Sequence, residues 1–254
     1  MKIVIFPTQG FCNRLRGIAS THILASFLGV DYFVNWEPEE CCNCSIDDVF
    51  STTFNRIELS EIQKSNYLFA PNTHTNNIMD NIKEEEYDYI VIQGGHEFKH
   101  PEMSCVDFLK RKHEFHKSLK FTESIENRVS EVDTTDCIGI HFRDYIPKYD
   151  KLDGRIFSEV SPLTSFVDIA KSIHGKNPGV RFFVSSNTNT AMEKISESTS
   201  PENVMELNDL ETDRSSKEGI IDSVVNVLVL SKCRFIVGTS MSSYSDEACF
   251  FNNI

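Results

Sequence analysis

The sequence predicts an α/β protein built on doubly wound parallel sheets, and three observations carry that prediction. Residues 3–36 read as strand, tight turn, helix and strand. Residues 137–251 repeat the strand-then-helix order more cleanly. Alternation of this kind is the signature of a parallel sheet with helices on its faces. The run at 3–6 is short and continuously apolar, and those at 89–93, 137–142 and 180–185 are short and mostly apolar, as expected of strands buried on both sides.

Taken in order, residues 3–6 form the first strand and 7–11 a turn. Residues 12–28 follow as a helix with Leu15, Ile18, Ala19, Ile23, Ala25 and Phe27 as its apolar positions and Gly29 as its stop. Residues 31–36 give a second strand. From 37 to about 68 the pattern is weak, and only short helices and loops are expected. The strand at 89–93 ends in Gly94-Gly95-His96, and helices follow at about 106–116 and 122–132. In the second half the strand at 137–142 precedes a helix at 163–173, with Pro162 at its first turn, where proline is tolerated. A strand at 180–185, a helix at 188–196 and a short strand at 203–207 come next. An apolar helix at 215–231, a strand at 235–237 and a closing helix at 244–251 complete the pattern. A boundary near 120–135 divides the chain into two α/β halves, 1–130 and 131–254.

Bulk composition narrows the partners. With 254 residues the chain has room for one large domain or two smaller ones with real cores. A net charge of −13 argues against binding nucleic acid or anionic membranes by general electrostatics. A local convergence of arginines remains compatible with an anionic ligand. The eight cysteines are scattered except for Cys41-Cys42-Asn43-Cys44. Cys137 and Cys233 open apolar runs and read as small core residues. No second Cys/His pair at zinc-finger spacing accompanies the cluster, so no metal site is expected; a disulfide within it stays open. The N-terminal apolar run is too short for a signal-peptide core, and no stretch approaches the ~20 apolar residues of a membrane span. A cytoplasmic protein with reduced thiols is the expectation.

Four segments concentrate the chemistry, each at a strand-to-helix junction, where backbone N–H groups and a positive helix end face a ligand. In Gly10-Phe11-Cys12-Asn13-Arg14-Leu15-Arg16-Gly17, two arginines sit in the first turns of a helix. They oppose the macrodipole there, a local conflict more expected of a site than of a structural helix. The spacing of Gly10 and Gly17 is not a dinucleotide fingerprint. In Ile138-Gly139-Ile140-His141-Phe142-Arg143-Asp144, a buried strand runs into a histidine and an arginine two apart, on one face if extended. The guanidinium is a planar fork suited to phosphate oxygens. A carboxylate in the loop after it, Asp150 first and Asp144 second, is the candidate general base. In Phe182-Phe183-Val184-Ser185-Ser186-Asn187 a strand turns polar before a helix, where Ser186 and Asn187 either cap that helix or bind ribose or phosphate. In the last segment, four Ser and one Thr crowd residues 239–245, more than one helix cap needs, and suggest an anion cradle. Asp222 and Asn226 interrupt the preceding apolar helix at i, i+4 and share a face.

In order and approximate spacing these segments resemble the fucosyltransferase superfamily that contains the α1,6-fucosyltransferases and protein O-fucosyltransferases. Residues 10–16 look like its Gly-x-Gly-Asn-Arg/Gln-Leu loop, and His141-Phe142-Arg143 like its His-x-Arg motif. Residues 182–187 occupy the place of its Phe-Leu-Ala-Thr-Asp-Asp strand end. Residues 226–231 through Ser242-Ser243 are similar to its Asp-x-x-x-Leu-Ser…Ser-Ser segment. The resemblance spans nearly the whole chain and implies a GT-B fold, two facing Rossmann-like domains with a cleft between them. Residues 1–130 would be the acceptor side and 131–254 the nucleotide-sugar side. It also implies inverting, metal-independent transfer of fucose from GDP-fucose to a sugar hydroxyl of a glycan, with no cofactor. Arg143, Asp150 and Asn13 would be catalytic. Arg14, Arg16, His141, Ser186, Asn187, Asp222, Asn226, Ser240, Ser242 and Ser243 would hold the donor. The chain departs from the pattern at Cys12, at Asp144 in place of a second Arg, at Ser186-Asn187 in place of an Asp pair, and at Asn226 in place of a base-reading Asp. It also stops soon after the last motif, so a long C-terminal crossover helix is expected to be absent or short. A non-catalytic nucleotide-sugar or glycan-binding module on the same fold, or a transferase using another nucleotide sugar, are the alternatives.

Overall fold

Two four-stranded sheets, parallel at every pairing, organise the chain in the computed structural model. The structure describes residues 1–71, 87–144, 155–208 and 210–252. They group into two compact units, 1–123 with 213–221 and 124–212 with 222–254. The α/β class with parallel sheets is what the alternation of strands and helices predicts.

The first unit runs β1 (Lys2–Phe6), α1 (Phe11–Leu28), β2 (Tyr32–Val34), α2 (Ile46–Val49), α3 (Leu59–Gln63), β3 (Tyr67–Pro71), β4 (Tyr89–Gln93) and α4 (Cys105–Ser118), with strand order β2-β1-β4-β3. Ile3, Val4 and Ile5 of β1 have no exposed surface, nor have Ile90 and Ile92 of β4. Each such side chain contributes roughly 1.5–3 kcal/mol on burial. Val4 and Val91 pack with Tyr89 and Ile62 on one face. Helix α1 lies against β1, β2 and α4. It ends where Gly29 takes φ 69°, a left-handed conformation that glycine adopts without a Cβ penalty. Strand β3 is a correction, since only helices and loops were expected before residue 68. It is an edge strand with Tyr67 and Phe69 exposed and Ala70 buried, so it lacks the apolar run that marks a buried strand.

Residues 213–221 belong with this unit. Asn43 Nδ2 donates to Ser215 O at 2.7 Å, and Lys217 pairs with Asp48. All eight cysteines are free thiols. The hydrogen bond between Cys42 and Cys44, followed by burial, pushes the Cys42 thiol up from its ordinary value.

The second unit runs α5 (Glu123–Ser130), β5 (Cys137–Phe142), α6 (Arg155–Val160), α7 (Leu163–Lys176), β6 (Arg181–Ser186), α8 (Thr190–Ser198), β7 (Val204–Met205), α9 (Lys217–Ser231, entering from the first unit), β8 (Phe235–Gly238) and α10 (Ser243–Phe251). Strand order is β7-β6-β5-β8. Ile140 and Phe142 of β5, with Phe182 and Val184 of β6, pack on Phe166 and Ala170 of α7 and on Ala191 and Ile195 of α8. Gly139 faces the other way, where a Cβ would come within 2.6 Å of Leu230 Cδ1 of α9 and 3.2 Å of Cys233 Cβ, so a larger residue there would have to displace the Leu230 side chain. Cys137 and Cys233 are fully buried, as expected of core residues. Helix α9 starts at Lys217 rather than 215, because Ser216 Oγ accepts from Gly219 N at 2.9 Å and caps it there. Helix α6 was not anticipated. Among the described residues no helix is long and apolar enough to cross a membrane.

Candidate functional site

In an open parallel sheet, ligands bind beyond the carboxyl ends of strands where the winding direction reverses. Each sheet has one such point. In the second unit the chain leaves β5 toward β6 and β7, then returns to place β8 on the other side of β5. The carboxyl ends of β5 and β8 carry Arg143 and the turn 239–242.

Those two ends are tied together through Thr239. Its Oγ1 accepts from Arg143 N at 2.9 Å and donates to His141 O at 3.0 Å. The turn closes with Ser242 N donating to Thr239 O at 3.2 Å, and Met241 within it takes φ 63°. Ser242 is buried but makes no side-chain cap to α10, and Ser245 Oγ reaches back to Thr239 O at 3.4 Å. Ser240 is exposed, and Ser243 is the half-buried first residue of α10. The hydroxyl run is therefore not explained as a helix cap.

Arg143 itself is partly exposed, and its guanidinium carbon lies 4.2 Å from the centre of the Phe157 ring. His141 is 94% buried (relative exposure 6%) and stacks on Tyr244 at 4.7 Å between ring centres. Burial first, and then the Arg143 charge, lower its pKa to about 3, so the ring is neutral near pH 7. Among the described residues its Nδ1 has no hydrogen-bond partner, and neither has Asn226 Oδ1, also buried. Tyr244 OH donates to Ser223 O at 2.9 Å, which joins the His141 stack to α9 one turn before Asn226.

Several predicted residues serve the protein's own backbone. Asp222 Oδ1 pairs with Arg128 at 2.7 Å and its Oδ2 accepts from Glu211 N at 2.7 Å, so both carboxylate oxygens are engaged. Asn187 does not cap α8, whose N-cap is Asn189. Its Oδ1 accepts from Asp144 N at 2.8 Å and its Nδ2 donates to Asp144 O at 2.9 Å, a two-bond clamp on the residue after Arg143. Ser186 Oγ accepts from Thr188 N at 3.2 Å. Asp150 lies outside the described residues.

The first sheet reverses between β1 and β4. Beyond those ends lie the start of α1 and the Gly94-Gly95 turn. A Cβ on Gly95 would come within 2.7 Å of Thr8 O, and one on Gly17 within 2.8 Å of Gly94 O, so glycines let the turn lie against the helix start. Arg14 is fully buried there. Its Nε donates to Gln9 O at 2.8 Å and its Nη1 to Glu37 O at 2.7 Å, with the guanidinium over Trp36 at 4.6 Å. Its Nη2 lies 3.4 Å from Glu39, an ion pair without hydrogen-bond geometry. Gln9, at φ 69°, and Met241 are the only two non-glycine residues with positive φ among those described. Each sits at one of the two reversal points. Asn13 and Arg16 are half-buried in the first turns of α1. Among the described residues no group of three or more His, Cys, Asp or Glu side chains is placed to hold a metal ion.

Whole-chain comparison finds this fold in known enzymes. The chain is similar to the NodZ α1,6-fucosyltransferase soaked with GDP-fucose, at 14% identity and TM-score 0.67 over 98% of this chain and 92% of that one. NodZ structures from Bradyrhizobium match as well. POFUT1 in complex with GDP matches at 11% identity and TM-score 0.61, over 98% of this chain and 94% of that one. A FUT1 variant from Arabidopsis thaliana in complex with GDP matches at 13% identity and TM-score 0.65, over 98% and 68% of the two chains. The likeness is one of fold. No family model matches the sequence. No curated protein matches it either.

Sequence reasoning passed over Phe157, Ser161 and the separate role of Thr239. Thr239 lay inside the hydroxyl run and was legible in principle. Phe157 carried no signal, because an aromatic in a short helix reads as ordinary packing.

Proposed function

We propose that this chain transfers fucose from GDP-fucose to a sugar hydroxyl of a glycan acceptor, with inversion and without a metal ion. In this reading the architecture is of the GT-B type, with residues 1–130 on the acceptor side and 131–254 on the donor side. The observation that carries it is the 2.9 Å bond from Arg143 N to Thr239 Oγ1. It joins the strand end that bears the guanidinium to the hydroxyl-rich turn at a sheet reversal. Fold likeness to structures holding GDP-fucose and GDP supports the donor.

Arg143 then neutralises the charge that grows on the departing diphosphate, assisted by Ser240, Ser242, Ser243 and the N–H groups opening α10. Fixed donors of this kind act where charge develops, and losing one typically costs about 10²–10³ in rate. His141 and Asn226 address the nucleoside, since each presents a buried polar atom that a base can satisfy. Asp222, Ser186 and Asn187 keep that surface in shape. Asn13 and Arg16 address the sugar or diphosphate, and Arg14 holds their turn. The base that takes the acceptor proton is Asp150, with Asp144 second.

The test is GDP release from GDP-fucose in the presence of glycan acceptors. Arg143→Ala should lower the acceptor-dependent rate by about 10²–10³ while the melting temperature holds. An unchanged rate refutes the assignment of Arg143. Tight GDP binding with no acceptor-dependent release marks a non-catalytic module instead.

A further inference from the structure

Helix α6 touches the Arg143 frame at two points that no sequence motif marks. Phe157 and Ser161 are four residues apart, and Ser161 N donates to Phe157 O at 2.9 Å, so the helical hydrogen bonding carries through to 161 and sets both side chains on one face. The Phe157 ring centre lies 4.2 Å from the Arg143 guanidinium carbon. Ser161, only 9% exposed, accepts from Ser240 N at 2.9 Å through its Oγ. Thr239, the neighbour of Ser240, already holds Arg143 N. Arg143, Thr239 and Ser240 thus form one block, with α6 braced across it.

The kind of contact matters as much as its place. A ring face attracts a cation through its quadrupole and accepts none of the guanidinium's in-plane N–H bonds. It fixes the charge without using a donor. An arginine side chain carries about 2 kcal/mol of rotamer entropy, and restraining it beforehand lowers the cost of ligand binding.

We propose that Phe157 is a positioning residue for Arg143, holding its guanidinium ready for the diphosphate of the donor while Ser161 holds the adjoining turn. This rests on the assignment of Arg143 to the diphosphate. The competing view is that Phe157 only packs a short helix onto the sheet, and leucine satisfies that need equally well.

Calorimetric binding of GDP and of guanosine to the full chain separates the two. Phe157→Leu should bind GDP about tenfold more weakly with guanosine affinity unchanged, and Phe157→Tyr should restore GDP binding. In an Arg143→Ala background Phe157→Leu should make no further difference. Phe157→Met carries the same expectation, so a folding defect peculiar to leucine does not decide the matter. GDP affinity equal to that of the unsubstituted chain, equal losses for GDP and guanosine, or additive losses with Arg143→Ala would each overturn the proposal. Failure of the unsubstituted chain to bind GDP overturns the diphosphate assignment itself, and this inference with it.

Discussion

Arg14 and Arg143 follow the central strands of two similar parallel sheets, each beside the point where the winding reverses. They have become different things. Arg14 has no exposed surface and gives its N–H groups to the carbonyls of Gln9 and Glu37. Arg143 is partly exposed and rests on the face of Phe157. Both positions lie beyond a parallel strand, and both cations lie over an aromatic ring. What differs is burial: the first guanidinium is sealed inside the protein against two backbone carbonyls, while the second lies beside the Phe157 ring on a residue that stays partly exposed. Arg14 at its reversal point is a buried strut, and the partly exposed Arg143 is the one proposed to meet a ligand.

Exchanging the roles breaks the comparison most severely. Arg14→Met should destabilise the fold by about 3 kcal/mol in urea unfolding, because two carbonyls lose their partner inside the protein. Arg143→Met should shift the same midpoint by less than about 1 kcal/mol, since the residue is partly exposed and its backbone bond to Thr239 survives. Equal losses would erase the distinction between a buried strut and a partly exposed cation.

The His141 ring sharpens it next. Its pKa is about 3 in the folded chain against the ordinary 6.5, so the unfolded chain takes the proton first. Stability is therefore complete above pH 6.5 and falls as pH drops from there toward 3. At about pH 5 the penalty is about 2 kcal/mol, and His141→Phe, which keeps a ring against Tyr244, should escape it. Parallel pH profiles for the two chains would show that neither burial nor the Arg143 charge acts on this ring. Smallest is the Asn187 clamp: Asn187→Ala should cost about 1 kcal/mol in urea, and no loss would mean that Asp144 holds its place without it.

How much was legible follows from these residues. The apolar runs within β1, β4, β5 and β6 announced themselves because strands buried on both faces are apolar over most of their length. Strand β3 did not, since an edge strand with exposed Tyr67 and Phe69 has no such run. Arg143 and the hydroxyl run at 239–245 stood out as polar groups where a buried strand ends. Arg14 stood out for another reason, as an arginine opposing the macrodipole in the first turns of a helix, and in the structure it is fully buried on two backbone carbonyls.

By itself the sequence determined the α/β order, the parallel sheets and the places where polar groups interrupt apolar elements. These follow from local periodicity, which each segment carries alone. Only the tertiary structure decided which polar groups are buried and which keep exposed surface. Burial is set by packing between distant parts of the chain, and whether Gln9 and Glu37 or the ring of Phe157 stands beside a guanidinium depends on contacts 5, 23 and 14 residues away along the chain.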